Sequence, residues 1–131
     1  NGVSYYDDSK GTNIGALQKS LEGIIQPVIL IAGGKDKGGD YRVLRDLIKQ
    51  KVKVLILIGE AREKIKTALG GCAETIYAAS MEDAVKKAHE NARQGDIVLL
   101  SPACSSFDMF KDYKERGDVF RRLVEALIKR R

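Results

Sequence analysis

Apolar residues recur along this chain in two alternating patterns. Val28-Ile29-Leu30-Ile31-Ala32, Val52 to Ile58 and Ile97-Val98-Leu99-Leu100 are short continuous runs. Such runs suit strands buried on both faces of a parallel sheet. Between them apolar positions repeat at helical spacing. Ile14, Leu17, Leu21, Ile24 and Ile25 form one stripe; Tyr41, Val43, Leu44, Leu47 and Ile48 form a second. Met81, Ala84, Val85, Ala88 and Ala92 form a third, and Val119, Phe120, Leu123, Val124, Leu127 and Ile128 a fourth. Glu60 to Leu69 reads as a short helix. Val3-Ser4-Tyr5-Tyr6 and Glu74-Thr75-Ile76-Tyr77 are weaker, β-branched and aromatic runs that read as strands, the second an outer one.

The polar residues punctuate this pattern. Thr12 or Asn13 can cap the first helix, and Asp40 the second. Ser80 with Asp83 resembles a capping box. Gly70-Gly71 reads as a left-handed helix stop. Phe107 to Arg116 reads as a partly helical connection, after which Gly117-Asp118 starts the last helix. The resulting order, strand and helix in alternation, predicts an α/β fold in three layers. An open, mostly parallel, Rossmann-like sheet carries helices on both faces, joined by right-handed crossovers.

Such sheets bind ligands beyond the carboxyl ends of their strands. Three loops of unusual composition fall there: residues 7–13, 33–39 and 101–106. In the first, Asp7-Asp8-Ser9-Lys10-Gly11-Thr12-Asn13 turns from strand to helix. The helix start favours an anion, and Lys10 adds a full positive charge. Asp8 is the odd member, because an acid beside an anion site must face a cation, a hydroxyl or a base. The same residues also make an ordinary capped turn with solvated charges. Gly33 to Gly39 is glycine-rich but is no P-loop, since Gly39 stands where the motif requires lysine. Lys35 or Lys37 could still grip an anion, or simply be solvated. Ser101 to Ser106 offers hydroxyls, a thiol and turn amides, yet is not GxSxG. His89, the single histidine, lies mid-helix among charged neighbours and reads as a surface residue. Without a partner base, Cys104 reads as a packing residue rather than a nucleophile.

With 131 residues the chain fits one domain, 1–131, with a real core. It begins at Asn1 with no methionine, as a cut-out domain, a mature fragment or a chain whose first methionine has been removed would. Cys72 and Cys104 form no CxxC pair, so neither a disulfide framework nor a zinc site follows, and a reducing cytoplasm is the default. No metal site is expected. No apolar run is long enough for a membrane span. The formal charge of +5 is concentrated toward the last helix. With few aromatics and no RNA-binding signature it is not read as a nucleic-acid surface.

Taken together, three motifs resemble one family. Asp8-Ser9-Lys10-Gly11-Thr12-Asn13, Gly33-Gly34-Lys35-Asp36-Lys37, and Leu99 to Phe107 with Asp108, Phe110, Lys111, Arg116, Gly117 and Phe120 look like the C-terminal domain of the Mur ligases. The likeness covers nearly the whole chain and points to the D-glutamate-adding branch. It implies a monomeric, cytoplasmic, three-domain enzyme that joins D-glutamate to UDP-N-acetylmuramoyl-L-alanine through an acyl phosphate. ATP and Mg2+ would be held mainly by a central domain, and a further domain would bind the UDP moiety. Neither is contained in 1–131, so this domain alone would be silent and carry no catalytic residue of its own. By the same resemblance Thr12, Lys37, Ser106, Phe107 and Tyr113 hold D-glutamate, while Asp8, Lys10 and Asn13 face ATP and the reacting phosphate. Three residues depart from the family's habit: Gly11 replaces a common Ala, Phe107 a Leu and Tyr113 a Phe. The first exchange is expected to be harmless. A different reading takes Asp7-Asp8 as a phosphoacceptor pair in a receiver-like signalling domain. Gly59-Glu60 and Ser101-Pro102 then stand where that family expects a further Asp and a Lys.

Overall fold

The computed structural model describes residues 2–36, 38–104 and 110–129. Five strands form one sheet: β1 (Ser4–Asp7), β2 (Val28–Gly33), β3 (Val52–Ile58), β4 (Glu74–Tyr77) and β5 (Ile97–Leu100). Their order is β1-β5-β2-β3-β4, and every pairing is parallel. Helices α1 (Ile14–Glu22), α2 (Arg45–Lys51), α3 (Arg62–Leu69), α4 (Met81–Asn91) and α5 (Tyr113–Lys129) complete the alternation.

The layers follow from that order. Moves from β1 to β2, β2 to β3 and β3 to β4 run in one direction across the sheet. Right-handed crossovers therefore place α1, α2 and α3 on one face. The return from β4 to β5 runs the other way, so α4 lies on the opposite face. The two cores agree. Leu17, Leu21, Leu44, Ile48 and Ile65 pack with Leu30, Leu55 and Leu57 on the first face. Met81, Ala84, Val85, Phe120 and Val124 pack with Ile29, Ile31, Ile56 and Val98 on the second. Strands β2, β3 and β5 are thus covered on both sides, which is why their sequences are nearly unbroken apolar runs. After β1 and β2 the chain leaves toward the first face; after β5 it leaves toward α5 on the second. That reversal makes the carboxyl edge at β5 a switch point, the place where such sheets bind ligands.

Local chemistry sets most boundaries. Asn13 caps α1 by accepting from the Ala16 amide at 2.9 Å, and Asp40 accepts from the Arg42 amide at 3.0 Å. Between Asp40 and α2 the chain first makes a 3-10 turn, Tyr41–Leu44. Ser80 and Asp83 bond as expected, with the Asp83 side chain reaching the Ala79 amide. Each such cap stabilises its helix by about 1 kcal/mol. The left-handed residue after α3 is Gly71 (φ 91°); Gly70 has an ordinary negative φ.

Several expectations need correction. The last helix starts at Tyr113, so Gly117 and Asp118 lie inside it. Asp112 supplies the start, accepting from the Glu115 amide at 2.9 Å. Ile25, Val43 and Ile128 are exposed rather than inward, each at the end or margin of its stripe. The receiver-like alternative fails on topology. That fold orders its strands 2-1-3-4-5, with the first strand internal, whereas β1 here is an edge strand.

Gly33 ends β2 where two backbones nearly touch. A Cβ there would lie 2.0 Å from the Ile58 carbonyl oxygen, and φ is 124°. Gly33→Ala should therefore lower stability by about 3 kcal/mol, from strain plus a backbone clash. Urea unfolding checks this; an unchanged midpoint would show that the β2–β3 approach is looser than described.

Candidate functional site

Beyond its last ladder bond each strand must find other partners for its backbone groups. At the carboxyl edge the loops supply them to one another. The Asp8 amide donates to the Leu100 carbonyl (2.7 Å), the Gly33 amide to Pro102 (2.9 Å) and the Ala103 amide to Gly11 (2.9 Å). The Ser101 amide donates to Ile31 at 3.2 Å. The three loops singled out by composition thus converge, as far as residues 7–13, 33–36, 38–39 and 101–104 are concerned.

Asp8 faces hydroxyls. Its Oδ2 accepts from Ser20 Oγ at 2.5 Å and from Ser101 Oγ at 2.8 Å. It therefore ties the turn both to α1 and to the end of β5. Gly11 lets the turn close over this contact: a Cβ would sit 3.0 Å from the Asp8 carbonyl, Asp8 Oδ2 and Ser101 Oγ. An alanine there is accommodated only if these oxygens give by a few tenths of an ångström, so the exchange expected to be harmless is a tight one.

Asp8, Lys10 and Tyr113 line one cleft of about 450 Å³, with Asp7, Ser9, Lys114, Asp118 and Arg121. Arg121 bridges Asp7 and Asp118 as an ion pair with each. The cleft mixes both signs of charge, with Lys10 at its exposed rim. Asn13 lies apart from it, in a neighbouring hollow of about 340 Å³ with Ile14, Gly39, Tyr41 and Ala103. Its Oδ1 is occupied by the helix cap. Thr12 is half-buried between these places, its amide bonded to the Lys10 carbonyl at 2.7 Å. Tyr113, assigned by resemblance to the amino acid, stands with the residues assigned to the phosphate. Lys37, Ser106 and Phe107 lie outside the described residues.

A second cluster was not legible in the sequence. Tyr41, 2% exposed, donates its hydroxyl to Asp36 Oδ1 at 2.9 Å and also meets Cys104 Sγ at 3.1 Å. Asp36 in turn accepts from Lys64 Nζ at 2.9 Å and from the Gly38 amide at 3.1 Å. Tyr41 thereby joins the loop on either side of residue 37 to the loop after β5. Burial, then the Cys104 contact, holds the Tyr41 phenol well above its ordinary range, so it stays a donor. The Lys64 bond, outweighing burial, holds the Asp36 carboxyl below 3.8.

Cys104 is buried in the first core, on the far side of the sheet from α4, where exposed His89 bonds Tyr5. The two do not make a pair. Among the described residues no three His, Cys, Asp or Glu side chains gather as a metal site. No described helix is long and apolar enough to cross a membrane.

The class is thus a doubly wound parallel α/β domain with three interlocked loops at its switch point. Its sequence matches the family described as Mur ligase, glutamate ligase domain, over residues 1–104, and the chain belongs to that family. It is 59% identical over 126 residues to a UDP-N-acetylmuramoylalanine--D-glutamate ligase of Geotalea daltonii, and 57% identical over 126 residues to that of Syntrophotalea carbinolica. A relative of the same name from Salinibacter ruber is 51% identical over 127 residues. These alignments take in 96% of this chain and 28% of each relative. Among solved structures, a domain ascribed to a UDP-N-acetylmuramate:L-alanyl-gamma-D-glutamyl-medo-diaminopimelate ligase of Haemophilus ducreyi superposes with a TM-score of 0.50. That match has 13% identity and covers 93% of this chain and 92% of that one; it shares the fold.

The Asp36 cluster has a pH signature. A carboxyl whose folded pKa lies below its unfolded value stabilises fully above the unfolded value and loses that contribution as pH falls. Asp36→Asn should be less stable by about 1 kcal/mol at neutral pH, as for a partly exposed ion pair. The gap should narrow as pH drops below 3.8. Unfolding curves at pH 7 and pH 3 test this, and a gap that persists unchanged at pH 3 contradicts it.

Proposed function

We propose that residues 1–131 are the C-terminal, substrate-closing domain of a three-domain ATP-dependent ligase. It would join D-glutamate to UDP-N-acetylmuramoyl-L-alanine in peptidoglycan precursor synthesis. The observation that carries this reading is the interlocking of the three loops at one edge, in a chain of this family whose relatives bear the D-glutamate ligase name.

The chemistry assigns complementary tasks to these loops. D-glutamate brings two carboxylates and an amine. Lys37 would pair with a carboxylate, while Thr12 and Ser106 would donate hydrogen bonds to it. Phe107 and Tyr113 would wall the amino acid. Lys10 would meet phosphate charge at the rim of its cleft, and Asn13 would face ATP from the neighbouring hollow. Asp8 would suit ribose hydroxyls through the oxygen that Ser20 and Ser101 leave available. The γ-phosphoryl group of ATP passes to the substrate carboxylate, releasing ADP. The D-glutamate amine then attacks that carbonyl, and phosphate leaves from the tetrahedral intermediate as the amide forms. Magnesium, held with ATP by the central domain, would supply charge neutralisation at the phosphates. The site is thus completed between domains, and an enzyme working alone in the cytoplasm as a monomer satisfies it.

The test is ligation by the full-length chain, wild type against Lys37→Ala and Thr12→Ala. The KM for D-glutamate should rise about tenfold or more in each, the worth of a charge-assisted hydrogen bond. The KM for ATP should barely move. Wild-type values for both variants would overturn the site assignment.

A further inference from the structure

Arg116 lies on the second turn of α5, 1% exposed, among the largest fully buried side chains. Its two terminal nitrogens grip different loops. Nη1 donates to the Cys104 carbonyl at 3.0 Å, and Nη2 to the Ser9 carbonyl at 2.9 Å. Ser9 stands between Asp8 and Lys10 in the first turn. Cys104 stands in the loop that follows β5. Two neighbouring features serve the same junction. Ala103 holds φ 63°, a left-handed conformation that costs a non-glycine residue energy and persists only when its surroundings impose it. Gly117 brings α5 against the turn: a Cβ there would lie 2.4 Å from Ser9 Oγ and 2.8 Å from Asp7 Oδ2. A glycine inside a helix is unfavourable by itself, so this close approach accounts for its presence.

We propose that Arg116 is a positioning residue for the ligase reaction, fixing the turn that carries Asp8, Lys10 and Thr12 against the loop after β5. This rests on the function proposed above. A guanidinium presents several N–H donors in one rigid plane and can serve two carbonyls at once. A lysine ammonium is a point charge on a flexible stem and cannot hold both in the same geometry. Loosening the junction lets the phosphate-facing and amino-acid-facing groups drift relative to each other. Misplacement of the order of 1 Å costs about a hundredfold in rate.

The experiment compares full-length wild type, Arg116→Lys and Gly117→Ala, measuring melting temperature, kcat and the KM for D-glutamate and for ATP. Arg116→Lys should lower kcat by about tenfold or more at temperatures well below melting, with both KM values raised. Gly117→Ala keeps the arginine but displaces the Ser9 and Asp7 side chains on the turn, and should show the same signature in milder form. It also carries the test should the lysine variant fail to fold. A variant that melts earlier yet keeps wild-type kcat and KM when folded would reduce Arg116 to a structural tie and overturn the proposal. If that happens while Lys37→Ala still raises the D-glutamate KM, the positioning role fails and the ligase assignment stands. If wild type does not ligate D-glutamate, the ligase assignment itself fails.

Discussion

Parallel pairing obliges all five strands to release their ladder hydrogen bonds at the same edge. Backbone amides and carbonyls there cannot be left dry and unpaired. In this domain the obligation is met by exchange between loops. The turn after β1 bonds the loop after β5, which bonds the end of β2. Asp8 adds a charged knot, with hydroxyls of Ser20 and Ser101 on one oxygen. Side chains on these loops inherit their positions from that exchange. The sheet supplies the edge; the loops supply one another.

Much of the sheet was readable from the sequence, because burial on both faces leaves a simple trace. Residues 52–58, 74–77 and 97–100 read as strands, and they are strands at those residues. Parallel pairing then puts the three loops at one edge, while the strand order was not legible. What escaped was decided by contacts distant in sequence. Gly117-Asp118 reads locally as a helix start, yet Gly117 lies inside α5, where the missing side chain leaves room for those of Ser9 and Asp7. Asp112, one polar residue among several, was not distinguishable as the cap. Ile25 lies just past the end of α1, and nothing local separates it from Ile24, which is buried.

The site was legible in a different proportion. The requirement that Asp8 meet a cation, hydroxyl or base followed from electrostatics alone, and hydroxyls meet it. Which hydroxyls could not be foreseen, since one is twelve residues away and the other ninety-three. The cluster of Asp36, Tyr41, Lys64 and Cys104 left no local trace either. Tyr41 looked like a core residue, and by burial it is one. Its hydroxyl matters because a phenol buried that deeply needs a partner, and here the partners belong to two different loops.

The position of β5 has a temporal side. It is the fifth strand along the chain but lies between the first and the second. As a ribosome delivers the domain, β2, β3 and β4 emerge in the order in which they pair. The first strand emerges earliest and must wait, because its neighbour in the sheet arrives more than ninety residues later. Closing so long a loop is slow compared with local pairing. The turn that is synthesised first is consequently among the last parts of the domain to acquire its shape. A nascent chain stalled before residue 97 would carry that turn without the strand that seats it.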